Sequence, residues 1–306
     1  MSWFFIALLA PLLWAFTNHI DKLLLEKYFG DNGVGTLMIF SSMIGIVMLP
    51  VFFFINPDIF NIGLQNALIL LLGGVIAASV LWLYFEALKD EEASIVVVFY
   101  QLIPVFAYLF GYIILGEVLT QLELIAMAVI ILGTLVVSVE IDAENNFRLR
   151  RKTIYLMTLA AALSAFESVI FKFVAVQEDL WISLFWDNAG LGVVGIMLFI
   201  FIAHYRKDFL KTLRSKSFPI LSLNGLNEGL YVSGNVLFAY TFLLAPVALV
   251  LLMNAYQPLF VFAIGVILTL FFPKLGAESL TIRNISQKLV AIAIVGIGTY
   301  LLFLPS

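Results

Sequence analysis

Apolar runs of about 18–25 residues follow one another along the chain, each long enough to cross the hydrocarbon core of a bilayer as a helix. Ten can be read. In the first half they are Trp3–Leu25, Thr36–Ile55, Ala67–Leu88, Ser94–Leu115 and Leu122–Val139; in the second, Ile154–Val176, Leu180–Ala203, Phe218–Phe242, Val247–Phe272 and Leu289–Leu304. The runs are continuous and do not alternate polar with apolar, so they read as helices that satisfy their own backbone hydrogen bonds in lipid and not as barrel strands. The expected fold class is therefore all-α: a polytopic membrane protein with ten transmembrane helices. Composition agrees, with 63% of the 306 residues hydrophobic and 12% charged. A soluble domain of this size could not bury so much apolar surface in one core.

Several function classes fall away. The net charge of −4 is small and dispersed, which gives no footing for nucleic acid. The absence of cysteine removes disulfides, thiolate metal sites and thiol catalysis. The two histidines, His19 and His204, are far apart, and no metal constellation is visible. No cofactor is expected, and no phosphate-binding Gly-x-x-x-x-Gly-Lys loop supplies an ATP motor. The start of the chain lacks a basic leader region and reads as the first span.

Basic residues set the expected orientation. Fifteen of the sixteen Lys and Arg residues lie in or beside the odd-numbered connectors, the exception being Lys172 in the sixth span. Positive charge stays in the cytoplasm, so both termini are expected outside. The longest polar stretches are Glu140–Lys152, Tyr205–Lys216 and Lys274–Lys288, all read as connectors.

The two halves resemble each other. Tyr100-Gln101 with Val105-Phe106-Ala107 recurs as Tyr256-Gln257 with Val261-Phe262-Ala263, and the same shift carries Tyr84 onto Tyr240, Leu81 onto Leu237 and Trp82 onto Phe238. Ala15-Phe16, Ile20 and Lys22 match Ala165-Phe166, Ile170 and Lys172; Ala126, Ala128 and Gly133-Thr134 match Ala291, Ala293 and Gly298-Thr299. Two units follow, residues 1–140 and 153–306, joined by a cytoplasmic connector at 141–152. With five spans in each, the second enters from the opposite side and the repeat is inverted. That build places a solute site near the midplane between repeats.

At this point the chain resembles the EamA-type members of the drug/metabolite transporter superfamily. The resemblance is carried by Ala87-Leu88, Pro104-Val105-Phe106, Leu115-Gly116-Glu117 and Gly133, with Trp14 and Lys22 in the first span and Tyr256 and Pro258 in the second half. The second half has no glycine-glutamate pair; Phe272-Pro273 stands near that place. The resemblance implies two five-helix repeats and movement of a small metabolite through a central cavity. It leaves open amino acids, nucleosides, sugars, organic cations and drugs.

Ionisable groups deep in a bilayer are costly, which makes each a functional candidate. Glu86, Glu117 and Glu140 fall at span ends, where water solvates them. Glu167 and Glu228 fall near the middle of their spans and Asp187 in the outer part of its own, so these three are the proton-coupling candidates. A neutral, protonated structural carboxyl is the alternative for each. Asn224, Glu228, Tyr231 and Asn235 share one face of the eighth span, with Asn227 beside it, as a cavity wall or as interhelical glue. The substrate-binding candidates are Trp14, Asn18, Trp82, Tyr84, Tyr100, Gln101, Glu167, Trp186, Asn224, Glu228, Tyr231, Asn235, Tyr240, Tyr256 and Gln257. Rings near carboxylates suit a cation, since a ring face attracts a desolvated cation by about 2 kcal/mol. The Asn18-His19-Asp21-Lys22 cluster reads mainly as an approach to the cytoplasmic interface, with Lys22 snorkelling. Pro104 and Pro258 are hinges or static kinks.

The function expected is secondary transport of a small metabolite by alternating access, with an amine or quaternary ammonium compound and proton coupling as the particular form. The alternatives are an exporter of amino acids, nucleosides or drugs, a flippase of a lipid or lipid-linked sugar, and, in another class, a membrane-embedded enzyme. The expected partners are the solute and the bilayer of a bacterial-type inner membrane; monomer and homodimer are not distinguished.

Overall fold

The computed structural model describes residues 2–25, 33–90, 96–138, 151–215, 218–271 and 282–304, and those residues are helical with short turns between. The elements are α1 (Ser2–Leu23), α2 (Gly33–Ile55), α3 (Leu64–Asp90), α4 (Ile103–Phe110), α5 (Gln121–Ser138), α6 (Arg151–Ala175) and α7 (Leu180–Phe201). The rest are α8 (Ala203–Ser215), α9 (Phe218–Phe242), α10 (Val247–Leu252), α11 (Gln257–Phe271) and α12 (Ile282–Leu302). Among the described residues, six helical stretches are long and apolar enough to cross a membrane: Trp3–Leu23, Val34–Ile55, Leu64–Lys89, Arg151–Ala175, Leu180–Phe201 and Val247–Phe271. Shorter apolar stretches cover Phe99–Leu115, Gln121–Leu135 and Leu289–Leu302. Helix α9 has 25 residues but carries the polar stripe that lowers its hydropathy.

Two breaks share one cause. A 3-10 segment at Val97–Leu102 leads into α4, and another at Met253–Tyr256 joins α10 to α11. Each ends just before a proline, Pro104 or Pro258, which lacks the N–H that would close the preceding α-turn. The Tyr-Gln pairs noted in the sequence, Tyr100-Gln101 and Tyr256-Gln257, sit at these breaks.

Contacts between helix ends sort into two faces. On one, Lys22 Nζ donates to the Leu88 carbonyl at 3.2 Å and Lys152 lies 3.6 Å from Glu86. On the other, Asn56 Nδ2 donates to Asp179 at 3.0 Å and Asn66 Nδ2 to Glu178 at 2.8 Å. Asp179 also caps α7, accepting from the backbone N–H of Trp181 at 2.8 Å. Thr120 and Glu123 form a reciprocal capping box at the start of α5.

The helices cross where small residues allow it. A Cβ on Gly74 of α3 would collide with the carbonyl oxygen of Asp187 on α7, and one on Gly190 of α7 with that of Leu71. Such close backbone approach is the usual basis of helix association in lipid, where apolar burial gives little drive. Large apolar side chains such as Phe54, Phe201, Leu270 and Tyr300 are exposed on the outside.

The stretch Tyr205–Lys216, expected as a connector, is for the most part helix α8. No apolar run marks it because its inward residues are few. Tyr205 lies against Gly35, and Phe209 sits between Phe40 and Phe199 at ring distances of 4.7 and 6.1 Å. Arg206 donates to the carbonyls of Phe199 and Ile200 at the end of α7.

Candidate solute cavity

A cavity of about 190 Å³ lies among α1, α2, α3, α6, α7, α9 and the two broken segments. Helix α9 supplies Asn227, Glu228, Tyr231 and Asn235 to its wall; α1 supplies Trp14, Asn18 and Asp21; α6 and α7 supply Glu167 and Asp187. Tyr84, Tyr100 and Gln257 add to the polar wall from α3 and the two breaks. Four carboxyls line it, and no lysine, arginine or histidine among the described residues does.

A chain of hydrogen bonds ties these elements together. Gln257 Nε2 donates to Asn18 Oδ1 at 2.6 Å, and Asn18 Nδ2 donates to Tyr84 Oη at 2.8 Å. The Tyr84 hydroxyl donates to Asp21 Oδ2 at 3.3 Å, and Asn227 Nδ2 donates to Asp21 Oδ1 at 2.6 Å. Asp21 thus receives two donors, one from α3 and one from α9. Ser41 Oγ donates to Glu228 Oε1 at 2.6 Å, joining α2 to α9. Glu167 accepts from Ser168 Oγ at 3.3 Å. Trp14 Nε1 donates to the Tyr231 carbonyl at 3.2 Å, with its indole in the space that Gly234 leaves free of a side chain.

Of the candidates named from sequence, Trp14, Asn18, Tyr84, Tyr100, Glu167, Glu228, Tyr231, Asn235 and Gln257 line the cavity, as does Asp187. Six lie elsewhere. Trp82 and Tyr240 are 43% and 45% exposed on the outer surface. Trp186 donates to the Ile59 carbonyl at 2.8 Å and packs with Phe60 and Phe185. Gln101 accepts from Thr134 Oγ1 at 2.8 Å. Tyr256 bonds Thr299 and packs its ring on Phe4, and Asn224 is buried beside the wall. Ala77, Leu81, Tyr84 and Phe85 on α3 and Tyr231, Asn235, Phe238 and Ala239 on α9 line the cavity at the same spacing.

Sequence reading also placed three groups differently. Asp21 is buried in the cavity wall and is not at a solvated interface. His19 bonds the Val261 carbonyl at 3.0 Å, tying α1 to α11. Glu117 was expected in water, but it pairs with Lys172 at 2.6 Å, their side chains only 16% and 12% exposed. Glu140 lies outside the described residues. The local signal for Glu117 was Gly116, whose φ of 67° turns the chain sharply after α4. Among the described residues no group of three or more His, Asp or Glu side chains is arranged to hold a metal ion.

Apolar spanning helices around a polar, carboxyl-lined cavity fit a multi-pass membrane protein of the transporter class. Residues 1–139 match the EamA-like transporter family, which is part of the drug/metabolite transporter superfamily. No curated protein matches the chain. A solved crystal structure, titled only as that of a protein, is similar in fold at a TM-score of 0.67 and 15% identity, over 99% of this chain and 96% of that one.

Proposed function

We propose that this transporter moves a small organic cation, an amine or quaternary ammonium compound, across the membrane by alternating access. The observation that carries the reading is the charge of the cavity wall: Asp21, Glu167, Asp187 and Glu228 line it, with Trp14, Tyr84, Tyr100 and Tyr231 among them. A carboxylate taken out of water needs a compensating charge or a proton, and a cationic solute supplies one. The aromatic faces add cation–π attraction. The same acids can exchange protons for solute, which makes the carrier proton-coupled, with Glu228 and Glu167 as the leading proton sites. The match of residues 1–139 to a transporter family supports transport over membrane-embedded catalysis.

The architecture behind this proposal is ten spans in two inverted five-helix units, 1–140 and 153–306, joined by a connector at 141–152. It is supported by the matched 3-10 breaks before Pro104 and Pro258 and by the equal spacing of the wall positions on α3 and α9. Both termini lie outside a bacterial-type plasma membrane in this reading. The basic helix α8, with Arg206, Lys207, Lys211 and Arg214, then lies on the cytoplasmic face.

Thermal unfolding of the detergent-purified protein against choline-like amines, primary amines, amino acids, nucleosides and sugars tests the proposal. A solute that binds only the folded state stabilises it by about 2.7 kcal/mol at 100 times its dissociation constant. The expected result is a shift with amines that Glu228→Gln diminishes. Shifts with neutral solutes alone would remove the cation reading and leave the transporter class standing.

A further inference from the structure

Helix α8 carries a row of cations on the side it turns away from the bundle. Tyr205, Phe209 and Thr212, at steps of four and three residues, form its inner face. Tyr205 lies against Gly35, Phe209 packs between Phe40 and Phe199, and Thr212 is buried. Lys207, Lys211 and Arg214 repeat the same steps on the far side, and all three are exposed. His204, also exposed, extends the row by one turn. At 1.5 Å per residue the three cations span about 10 Å. Among the described residues, none of the three lies within ion-pair distance of a carboxylate. The helix has one acid, Asp208, which is half-buried and off the row. On the flank, Leu213 is exposed, and Arg206 reaches the carbonyls of Phe199 and Ile200 at the end of α7.

The chain holds this row close to the bilayer. Helix α7 ends at Phe201 and α8 starts at Ala203, while α9 starts at Phe218, three residues beyond Ser215. Ile200, Phe201 and Phe218, the large apolar residues at these junctions, are all exposed, as lipid-facing side chains are. We infer that Lys207, Lys211 and Arg214 bind the phosphate head groups of anionic phospholipids. The inference goes beyond transport and is independent of what the cavity carries. Lys and Arg clustered on an amphipathic helix beside a span are drawn to anionic lipid. Their aliphatic stems can lie along acyl chains while the charges reach phosphate, and each head is a charge-assisted donor to phosphate oxygens. An acidic soluble protein would match the charge too, but it has no use for the exposed leucine on the flank or for lipid-facing residues at both ends of the helix.

Thermal unfolding of the full-length protein in a neutral detergent, titrated with dioleoyl phosphatidylglycerol or dioleoyl phosphatidylcholine, tests it. Phosphatidylglycerol is expected to raise the melting temperature more than phosphatidylcholine at equal mole fraction. The difference should vanish at about 1 M salt, where charges are screened beyond about 3 Å. In the triple variant Lys207→Gln, Lys211→Gln, Arg214→Gln, the phosphatidylglycerol concentration giving half the shift should rise about fivefold for each charge removed. The charge-keeping exchange Lys207→Arg, Lys211→Arg, Arg214→Lys should keep the wild-type response, and its loss there would count against the inference. If the neutralised variant melts lower in phosphatidylcholine, native mass spectra decide instead. Fewer retained phosphatidylglycerol molecules than in the wild type support the inference, and an equal number overturns it. Equal stabilisation by the two lipids, an unchanged response in the neutralised variant, or an equal shift with inorganic phosphate alone would also overturn it.

Discussion

Asp21 and Asn227 stand 206 positions apart in the chain, and 2.6 Å separates Oδ1 of one from Nδ2 of the other. The pair fastens α1 to α9, and Tyr84 adds α3 through the second carboxylate oxygen. Tyr84→Phe removes the link between Asn18 and Asp21 and leaves both with a lost partner. It should lower stability by about 1–3 kcal/mol, the cost of unsatisfied buried polar groups, and also weaken solute binding. Denaturation and ligand titration of the variant check both; a change in neither would mean that the network is incidental.

A second long-range tie closes the opposite end of the bundle. Glu117 accepts from Lys172 Nζ at 2.6 Å and from the backbone N–H of Val247 at 2.8 Å, while Lys172 also donates to the Ala245 carbonyl at 2.7 Å. The carboxylate therefore sits at the start of α10 with a cation beside it. Lys172→Met leaves Glu117 without its counter-ion and should cost about 3 kcal/mol, as expected when one partner of a buried pair is removed. Adding Glu117→Gln to that variant should recover part of the loss, because Gln still caps Val247. A double-mutant cycle measures the coupling.

Glycines on α3 and α9 should respond in opposite ways. Gly74→Ala drives a methyl into the backbone of α7 at Asp187, so α3 and α7 must separate. A loss of about 1–3 kcal/mol follows from overpacking of this kind. A Cβ on Gly229 meets nothing within 4 Å, and Gly229→Ala should stabilise by about 0.4–1 kcal/mol through the unfolded chain. Thermal unfolding of the two variants side by side distinguishes them.

Binding of a cationic solute should weaken as pH falls. Protonation of Asp21, Glu167, Asp187 or Glu228 removes negative charge from the wall, and with it the attraction for a cation. Titrations at about pH 8 and about pH 5 should show tighter binding at the higher pH, with a smaller difference in Glu228→Gln. Binding that is level across this range would argue against a carboxylate in contact with the solute.

The stripe Asn224, Glu228, Tyr231 and Asn235, with Asn227 beside it, was legible in the sequence because its spacing lies on a single helix, although it is Asn227 and not Asn224 that lines the cavity. Glu167 and Asp187 were legible for a similar reason: a charge deep in an apolar run has few structural explanations. Asp21 was not, because its own neighbours His19 and Lys22 suggest an interface and its partners are on α3 and α9. Lys172 and Glu117 were missed in the same way, each looking solvated until the ends of α4 and α6 are brought together. Aromatic residue type did not reveal direction. Tyr84 faces the cavity while Tyr240 faces outward, and Trp82 faces outward while Phe238 lines the wall.

If the carboxyl-lined cavity carries a cation across the bilayer, proteoliposomes holding the purified protein take up radiolabelled choline, a permanent cation with no neutral form to cross lipid unaided, when an outwardly directed proton gradient is imposed. The account predicts accumulation above that in protein-free liposomes, collapsing when the gradient is dissipated and falling sharply in Glu228→Gln. Uptake equal to that of protein-free liposomes, by protein that binds the same compound in detergent, would contradict it.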